Sequence, residues 1–197
     1  MNNQVEVGSN VKVVMEDSRR IKSYQIILRI LGFLLTLTAS IVEGIDKETA
    51  IVPVTIVETL PPLQVPLTAK WQYVSAFVYL LVSNTIACSY AAGSLIYTMV
   101  AARSKKMDNG TGTLVIIILD MAITGLLLSA NGAAIGIAVI GRFGNSHLNW
   151  KKVCHVYSDF CHQLTAAAAL SLLAAFVFFG LVAVAVSNLH KRLMAST

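Results

Sequence analysis

The hydrophobic residues of this chain gather into four long blocks that are separated by polar segments. The blocks cover residues 25–45, 74–101, 113–140 and 164–187. Each is long enough to cross a bilayer as a helix, which takes about 20 mostly apolar residues. Because only helices and closed barrels satisfy their backbone hydrogen bonds in lipid, the pattern predicts an all-α membrane protein, a four-transmembrane-helix bundle.

The polar segments define the topology of this predicted transmembrane domain, 25–187. They are the N-terminal tail 1–24, the outside loop 46–73, the inside loop 102–112, the outside loop 141–163 and the C-terminal tail 188–197. Lys and Arg are more numerous near the span ends on the side of the tails, which predicts that both termini are cytosolic. The N-terminal tail is polar, so we expect it to be disordered and to hold no cleavable signal peptide.

The first outside loop is unusual in composition, because it holds all four prolines of the chain, Pro53, Pro61, Pro62 and Pro66. Its Val- and Thr-rich run 51–57 predicts a strand, after which the prolines favour extended backbone.

Polar side chains interrupt the apolar blocks at helical spacing, which predicts one polar face on each of the first three spans. These residues are Arg29, Thr36, Ser40 and Glu43 in the first span, Tyr79, Ser83, Tyr90, Ser94 and Tyr97 in the second, and Asp120, Thr124 and Asn131 in the third. The fourth span is nearly all Ala, Leu, Val and Phe, with only Ser171 well inside it. Since unpaired polar groups are costly in lipid, we expect the three faces to meet inside the bundle.

Arg29 and Asp120 are the charges that most need a partner, because a lone ionisable residue in a span costs about 2.5–3.5 kcal/mol on insertion scales. Spans one and three run in the same direction, and the two residues differ in depth by only ~5 Å at 1.5 Å per residue. Arg favours a bidentate contact with a carboxylate, so the sequence predicts an intramembrane charge pair.

Three interpretations of this pair remain open. It is a structural clasp between spans one and three, a device that fixes a surface for assembly, or part of a proton or ion pathway. We favour the clasp, because Glu43 is the only other ionisable group within the spans and lies near the far end of its span.

Small residues form a further pattern in the third span, where Gly132 and Gly136 have the GxxxG spacing of close helix packing. We favour packing within the chain over a dimerisation face.

The second outside loop holds two of the three cysteines, Cys154 and Cys161. An oxidising exterior favours a disulfide between them, provided that the chain turns, because seven residues of straight helix would separate their Cα atoms by ~10.5 Å. Cys88 is expected to be a small buried hydrophobe. A metal site is the less favoured alternative, since the spacing matches no familiar zinc motif. Its ligands would come from His147, Cys154, His155, Cys161 and His162.

Composition and motifs narrow the function classes. Only 13% of the residues are charged and the net charge is +5, against about 25% charged in soluble domains. Attraction to membrane lipid is expected. Nucleic acid is not expected as a partner, because the sequence has no basic groove interleaved with aromatic residues. No catalytic motif is present, so we expect no enzyme, no cofactor and no metal. The only glycosylation sequon is at Asn109, in the loop predicted to be cytosolic, and should stay unmodified.

Several runs of this chain resemble the plant Casparian strip membrane protein-like (CASP-like) family, most closely its first subfamily. The runs are Leu28-Arg29-Ile30-Leu31, Ala39-Ser40-Ile41-Val42, Ala76-Phe77-Val78-Tyr79, Asn84-Thr85-Ile86-Ala87-Cys88, Leu119-Asp120, Leu126-Leu127-Leu128-Ser129-Ala130, Gly144-Asn145-Ser146-His147, Trp150-Lys151-Lys152-Val153-Cys154 and Phe160-Cys161. The family is similar to MARVEL-type tetraspans, with an Arg in the first span and an acid in the third, where Arg29 and Asp120 stand.

The resemblance implies a multi-pass plasma-membrane protein that forms homo- and hetero-oligomers with related tetraspans. Strip-forming members build membrane platforms that recruit cell-wall-modifying enzymes. We therefore expect a non-enzymatic scaffold that organises a membrane subdomain. The alternative is a small transporter or channel subunit that uses the polar faces of spans one to three.

Overall fold

The computed structural model describes residues 2–54, 63–103, 110–147, 150 and 152–194. Four long helices are joined by one hairpin and two connections. The elements are α1 (Asn2–Gly44), β1 (Lys47–Val54), β2 (Leu63–Lys70), a short 3₁₀ turn (Trp71–Tyr73), α2 (Ser75–Arg103), α3 (Gly110–Phe143) and α4 (Ser158–Met194).

Each of the four helices is long and apolar enough to cross a membrane, which confirms the predicted four-helix bundle. The candidate spans are Ser23–Gly44, Ser75–Ala101, Gly112–Phe143 and Ser158–His190. The orientation of the termini stays a prediction. The prediction that the N-terminal tail is disordered is wrong, because α1 begins at Asn2. That segment contains no proline, so a helix nucleated in the span extends backwards at little cost per residue.

One stripe of each helix faces the bundle interior, with buried positions spaced three and four residues apart. The core includes Leu80, Leu127, Phe178 and Leu181, each at most 1% exposed. Large apolar side chains also point outward all around the bundle, as expected for helices surrounded by lipid. Examples are Leu34, Ile86, Ile118, Met121, Phe176 and Phe179.

The predicted strand exists only as part of an antiparallel hairpin, in which Lys47 pairs with Lys70 and Val54 with Leu63. Residues 51–54 of the predicted strand lie in β1, and 55–57 fall outside the described residues. Its partner β2 was missed because it contains Pro66, which removes a ladder donor. Proline fits here because the sheet has two strands, so both are edges. We call the membrane side that bears this hairpin the hairpin side.

The hairpin and the disulfide-bearing loop are fixed to each other. The Tyr157 hydroxyl donates to the Leu67 carbonyl at 3.2 Å, and the backbone N–H of Phe160 donates to Glu48 Oε2 at 2.8 Å. A disulfide joins Cys154 and Cys161, whose Cα atoms are 5.6 Å apart. The required turn lies just before α4, so that only Cys161 belongs to the helix.

Candidate functional site: a buried charge network

Arg29 of α1 binds Asp120 of α3 through two parallel hydrogen bonds. Nη2 lies 2.8 Å from Oδ2, and Nη1 lies 3.2 Å from Oδ1. Arg29 is 4% exposed and Asp120 is completely buried. The arrangement is the bidentate fork that Arg forms with carboxylates, in a setting from which water is excluded.

Helix α2 supplies two further members of this network. Arg29 Nη1 also donates to Ser94 Oγ at 2.8 Å, and the Tyr90 hydroxyl donates to Asp120 Oδ1 at 2.7 Å. The network therefore joins three helices. The sequence predicts that Tyr90 and Ser94 share one polar face. It does not predict their bonds to the charge pair, because spacing along one helix does not fix the rotation of that helix against its neighbours.

Helix α4 closes the network with an aromatic ring rather than a polar group. The rings of Tyr90 and Phe178 are 6.2 Å apart, and Phe178 is completely buried. Helix α1 has Gly32 opposite this ring, where an added Cβ would lie 3.4 Å from Phe178. This distance is ordinary van der Waals contact, so the Phe178 ring packs directly against α1 at Gly32.

A second polar layer lies about 16 Å from Asp120 along α3, judged by 11 residues of helical rise. Asn131 donates to Ser171 Oγ of α4 at 2.9 Å and to the Leu127 carbonyl at 2.8 Å. Asn84 of α2 donates to the Leu80 carbonyl at 3.0 Å. The one polar residue predicted inside the fourth span is therefore a partner of the third span. In contrast, Tyr79 is exposed, and its hydroxyl donates to Ser129 Oγ at 3.3 Å.

A largely apolar groove of about 420 Å³ runs between α2 and α3 beside the network. Its lining includes Tyr90, Ser94, Tyr97 and Gly112. A Cβ added at Gly112 would lie 2.6 Å from the Tyr97 hydroxyl oxygen. Gly112 therefore lets Tyr97 pack across the start of α3.

The interpretation of Gly132 and Gly136 as a packing site within the chain is wrong for the described residues. Both glycines are exposed, and an added Cβ at either would meet no described atom within 4 Å. The neighbouring small residues Gly125, Ser129 and Ala133 are exposed too. GxxxG spacing identifies a small-residue face, but it does not indicate the direction in which that face points.

The metal alternative loses two of its five candidate ligands, because Cys154 and Cys161 are bonded to each other. The remaining candidates, His147, His155 and His162, are exposed. In the part of the chain that the structure describes, no group of three or more His, Cys, Asp or Glu side chains could hold a metal ion. Cys88 is a free thiol and is half-buried rather than buried. Asn109 lies outside the described residues.

The bundle and its network define a class: a four-span membrane protein whose helices are joined by a buried Arg–Asp pair. The Casparian strip membrane protein domain matches residues 18–177. The chain belongs to this family and, within it, to CASP-like subfamily 1.

Plant relatives resemble the chain over most of its length. It is 53% identical over 186 residues to CASP-like protein 1E1 of Vitis vinifera, and the alignment covers 94% of this chain and 91% of the relative. It is 44% identical over 185 residues to CASP-like protein 1E1 of Populus trichocarpa, with 94% and 92% covered. For CASP-like protein 1E1 of Arabidopsis thaliana the identity is 40% over 177 residues, with 89% and 90% covered. No solved structure matches the chain.

Proposed function

We propose that this protein is a non-enzymatic plasma-membrane scaffold that assembles laterally with itself and with related tetraspans. In this role it organises a membrane subdomain, and its outside loops recruit cell-wall-modifying proteins. The observation that carries the proposal is the burial of the charge network and the bonds between its members. Asp120 and Arg29 are buried and bonded to each other, to Tyr90 and to Ser94, as a structural clasp requires.

A transport function is less well supported by the residues of the charge network. A carrier site must exchange its ions with water, and charged residues that serve this purpose usually face a water-filled cavity. Asp120 is completely buried, both of its oxygens already accept hydrogen bonds, and the groove beside it is largely apolar. Removing the Asp120 charge to bind and release a cation would leave Arg29 buried without a counter-ion, which is costly.

Lateral assembly is supported by the small-residue face of α3. Gly132 and Gly136 are exposed with open space around them. In membranes such faces permit close helix approach, because dispersion contacts and not the hydrophobic effect drive association. The occupant that we propose is another tetraspan of this family, beginning with a second copy of this chain.

Recruitment is assigned to the hairpin side, where the hairpin and the disulfide-bearing loop form one fixed unit. The bonds from Tyr157 to Leu67 and from Phe160 to Glu48 hold the two segments together. A surface that is ordered before binding loses less conformational entropy when a partner docks.

Two measurements on the same protein test the proposal. Fluorescence recovery after photobleaching of a tagged copy in plant plasma membrane should be slow and should become faster in the Gly132→Leu, Gly136→Leu double variant. Ion flux in liposomes that contain the purified protein should equal that of empty liposomes. Flux that is lost in Asp120→Asn would instead support the transporter alternative, and free lateral diffusion of the native protein would contradict the scaffold.

A further inference from the structure

Two carboxylates at the hairpin-side end of α1 are buried without any hydrogen-bond donor. Glu43 is completely buried and Asp46 is 2% exposed. They are one helical turn apart, because the Asp46 N–H donates to the Glu43 carbonyl at 3.2 Å. None of the four carboxylate oxygens has a hydrogen-bond partner among the described residues. The charge network does not involve them, since it lies at the other end of the span.

Leaving both acids ionised and unpartnered is expensive. The desolvation penalty of a buried ion amounts to several kcal/mol, and the carbonyl end of a helix adds negative potential at this position. Two lysines, Lys47 and Lys70, pair at the base of the hairpin, yet neither donates to these oxygens. The described residues therefore supply no bonded counter-charge to this pair.

A shared proton would only partly meet this need. One proton between two carboxyl groups satisfies two of the four oxygens and removes one of the two charges. A divalent cation balances both charges, and its coordination shell of about six to eight oxygens for Ca²⁺ takes several carboxylate oxygens at once. Carboxylate oxygens suit hard cations, and Ca²⁺ sheds its water more readily than Mg²⁺, which demands octahedral geometry and retains several waters.

Neutral oxygens are available in the adjacent part of α2. A Cβ added at Gly44 would lie 4.0 Å from Leu81 Cδ1, so this part of α2 packs on the end of α1. Ser83 Oγ and Asn84 Oδ1 follow within the next turn, and both are buried with no hydrogen-bond partner in the described chain. Acceptor oxygens without donors thus lie on both helices at similar depth.

We propose that Glu43 and Asp46 bind a hard divalent cation, for which Ca²⁺ is the best fit, where α1 meets the hairpin. The described residues offer no third carboxylate to this pair, so neutral oxygens or water complete the coordination shell. With two carboxylates, the site belongs with weak extracellular Ca²⁺ sites, whose dissociation constants are on the order of 10⁻⁴–10⁻³ M. The proposal does not depend on lateral assembly.

The position of Trp71 provides a direct probe. Its indole N–H donates to the Gly44 carbonyl at 3.1 Å, next to Glu43 in the chain. Tb³⁺ substitutes for Ca²⁺ and emits when a nearby indole is excited. We expect purified, detergent-solubilised protein to sensitise Tb³⁺ emission, and millimolar Ca²⁺ to displace it. Trp71→Phe should remove the signal, whereas Trp150→Phe, which alters the other of the two tryptophans, should keep it.

Isosteric variants identify the ligands. Glu43→Gln and Asp46→Asn should each weaken Tb³⁺ binding at least tenfold, whereas Asp159→Asn, which alters an exposed carboxylate, should leave it unchanged. Emission that Ca²⁺ does not displace, or that survives in both site variants, overturns the proposal.

Thermal unfolding separates lost binding from lost folding. Ca²⁺ should raise the Tm of the native protein and leave that of both site variants unchanged. In the presence of chelator, the Tm of the variants should be higher than that of the native protein, because a buried charge has been removed. A misfolded variant would not show such an increase in Tm. A native Tm that rises on acidification but does not respond to Ca²⁺ identifies the proton as the occupant and contradicts the cation site.

Discussion

Arg29 and Asp120 stand 91 positions apart in the chain and share two hydrogen bonds in a space without solvent. The contact joins α1 to α3, and Tyr90 and Ser94 join α2 to the same two side chains. Because polar groups in lipid have no water to replace a lost partner, each member of the network depends on the others. The relative positions of three helices are thereby coupled to one ion pair.

Removing either charge should destabilise the bundle strongly. Arg29→Ala and Asp120→Ala each leave an uncompensated buried ion, which costs about 3–5 kcal/mol. The double variant Arg29→Asp, Asp120→Arg restores opposite charges at the same depth and should recover part of the loss. Thermal unfolding in detergent measures the three variants against the native protein. A double variant no more stable than the single variants would count against a direct energetic role of the pair.

Tyr90→Phe should cost about 1.5–3 kcal/mol, the range for a hydrogen bond to a charged group. The lost bond joins the hydroxyl to Asp120 Oδ1 at 2.7 Å, and the ring that packs near Phe178 is retained. Tyr79→Phe is the matched control, since its hydroxyl forms a 3.3 Å bond on the exposed side of the bundle. Urea or thermal unfolding should separate the two variants clearly, and equal losses would show that Tyr90 stabilises through its ring alone.

The sequence predicts how deep a residue lies in its span, but not how one helix is rotated against its neighbours. Hydropathy located the spans, and helical rise put Arg29 and Asp120 at similar depth. The sequence could not place Tyr90 against Asp120, because nothing in the residues of α2 reports how α2 is rotated against α3. For the same reason we expect from the sequence that Gly132 packs within the chain, whereas the structure has it exposed.

The hairpin side was hard to predict for a different reason. Asp46 looked like the first residue of a loop, which would leave its carboxylate in water. Asp46 instead lies directly between the end of α1 and the start of β1 and is buried. Strand β2 alternates apolar and polar residues as a half-buried strand does, but Pro66 within the run argues against a strand, so the second strand of the hairpin is not predicted from the sequence.

Asp46 should make the protein less stable as pH rises from about 4 to 6 in the presence of chelator. Burial, and then the negative charge of Glu48, raises the pKa of Asp46 from 3.8 to about 6. The folded state therefore holds a proton that the unfolded chain releases, and this stabilisation is present below pH 4 and is lost as pH rises through 6. Tm measured across this range should fall in the native protein. Asp46→Asn should flatten that part of the profile, and an unchanged slope would assign the dependence to other groups.

Loss of the disulfide should loosen the hairpin side and leave the spans intact. Closing a loop between cysteines that are seven positions apart is worth about 2–3 kcal/mol in the chain-entropy account, and the bridge holds the turn just before α4. In Cys154→Ser, Cys161→Ser we expect faster hydrogen exchange in residues 152–160 and in β2, which Tyr157 contacts. Exchange in the α3 span should stay unchanged, and uniform acceleration throughout the bundle would contradict a local role.

Bulky residues on the small-residue face of α3 should disrupt self-association without unfolding the monomer. In Gly132→Leu, Gly136→Leu the new Cβ atoms meet no described atom within 4 Å, so no contact inside the chain is lost. A neighbouring helix, in contrast, could no longer approach the α3 backbone closely. Energy transfer between differently labelled copies in liposomes should fall several-fold, while the free energy of unfolding of dilute protein stays within about 1 kcal/mol of the native value. Gly93→Leu places one leucine side chain at an exposed glycine of α2 with equally open surroundings, and it should leave energy transfer unchanged. An equal loss in both variants would mean that bulk anywhere on the bundle weakens association, and that the α3 face is not the contact.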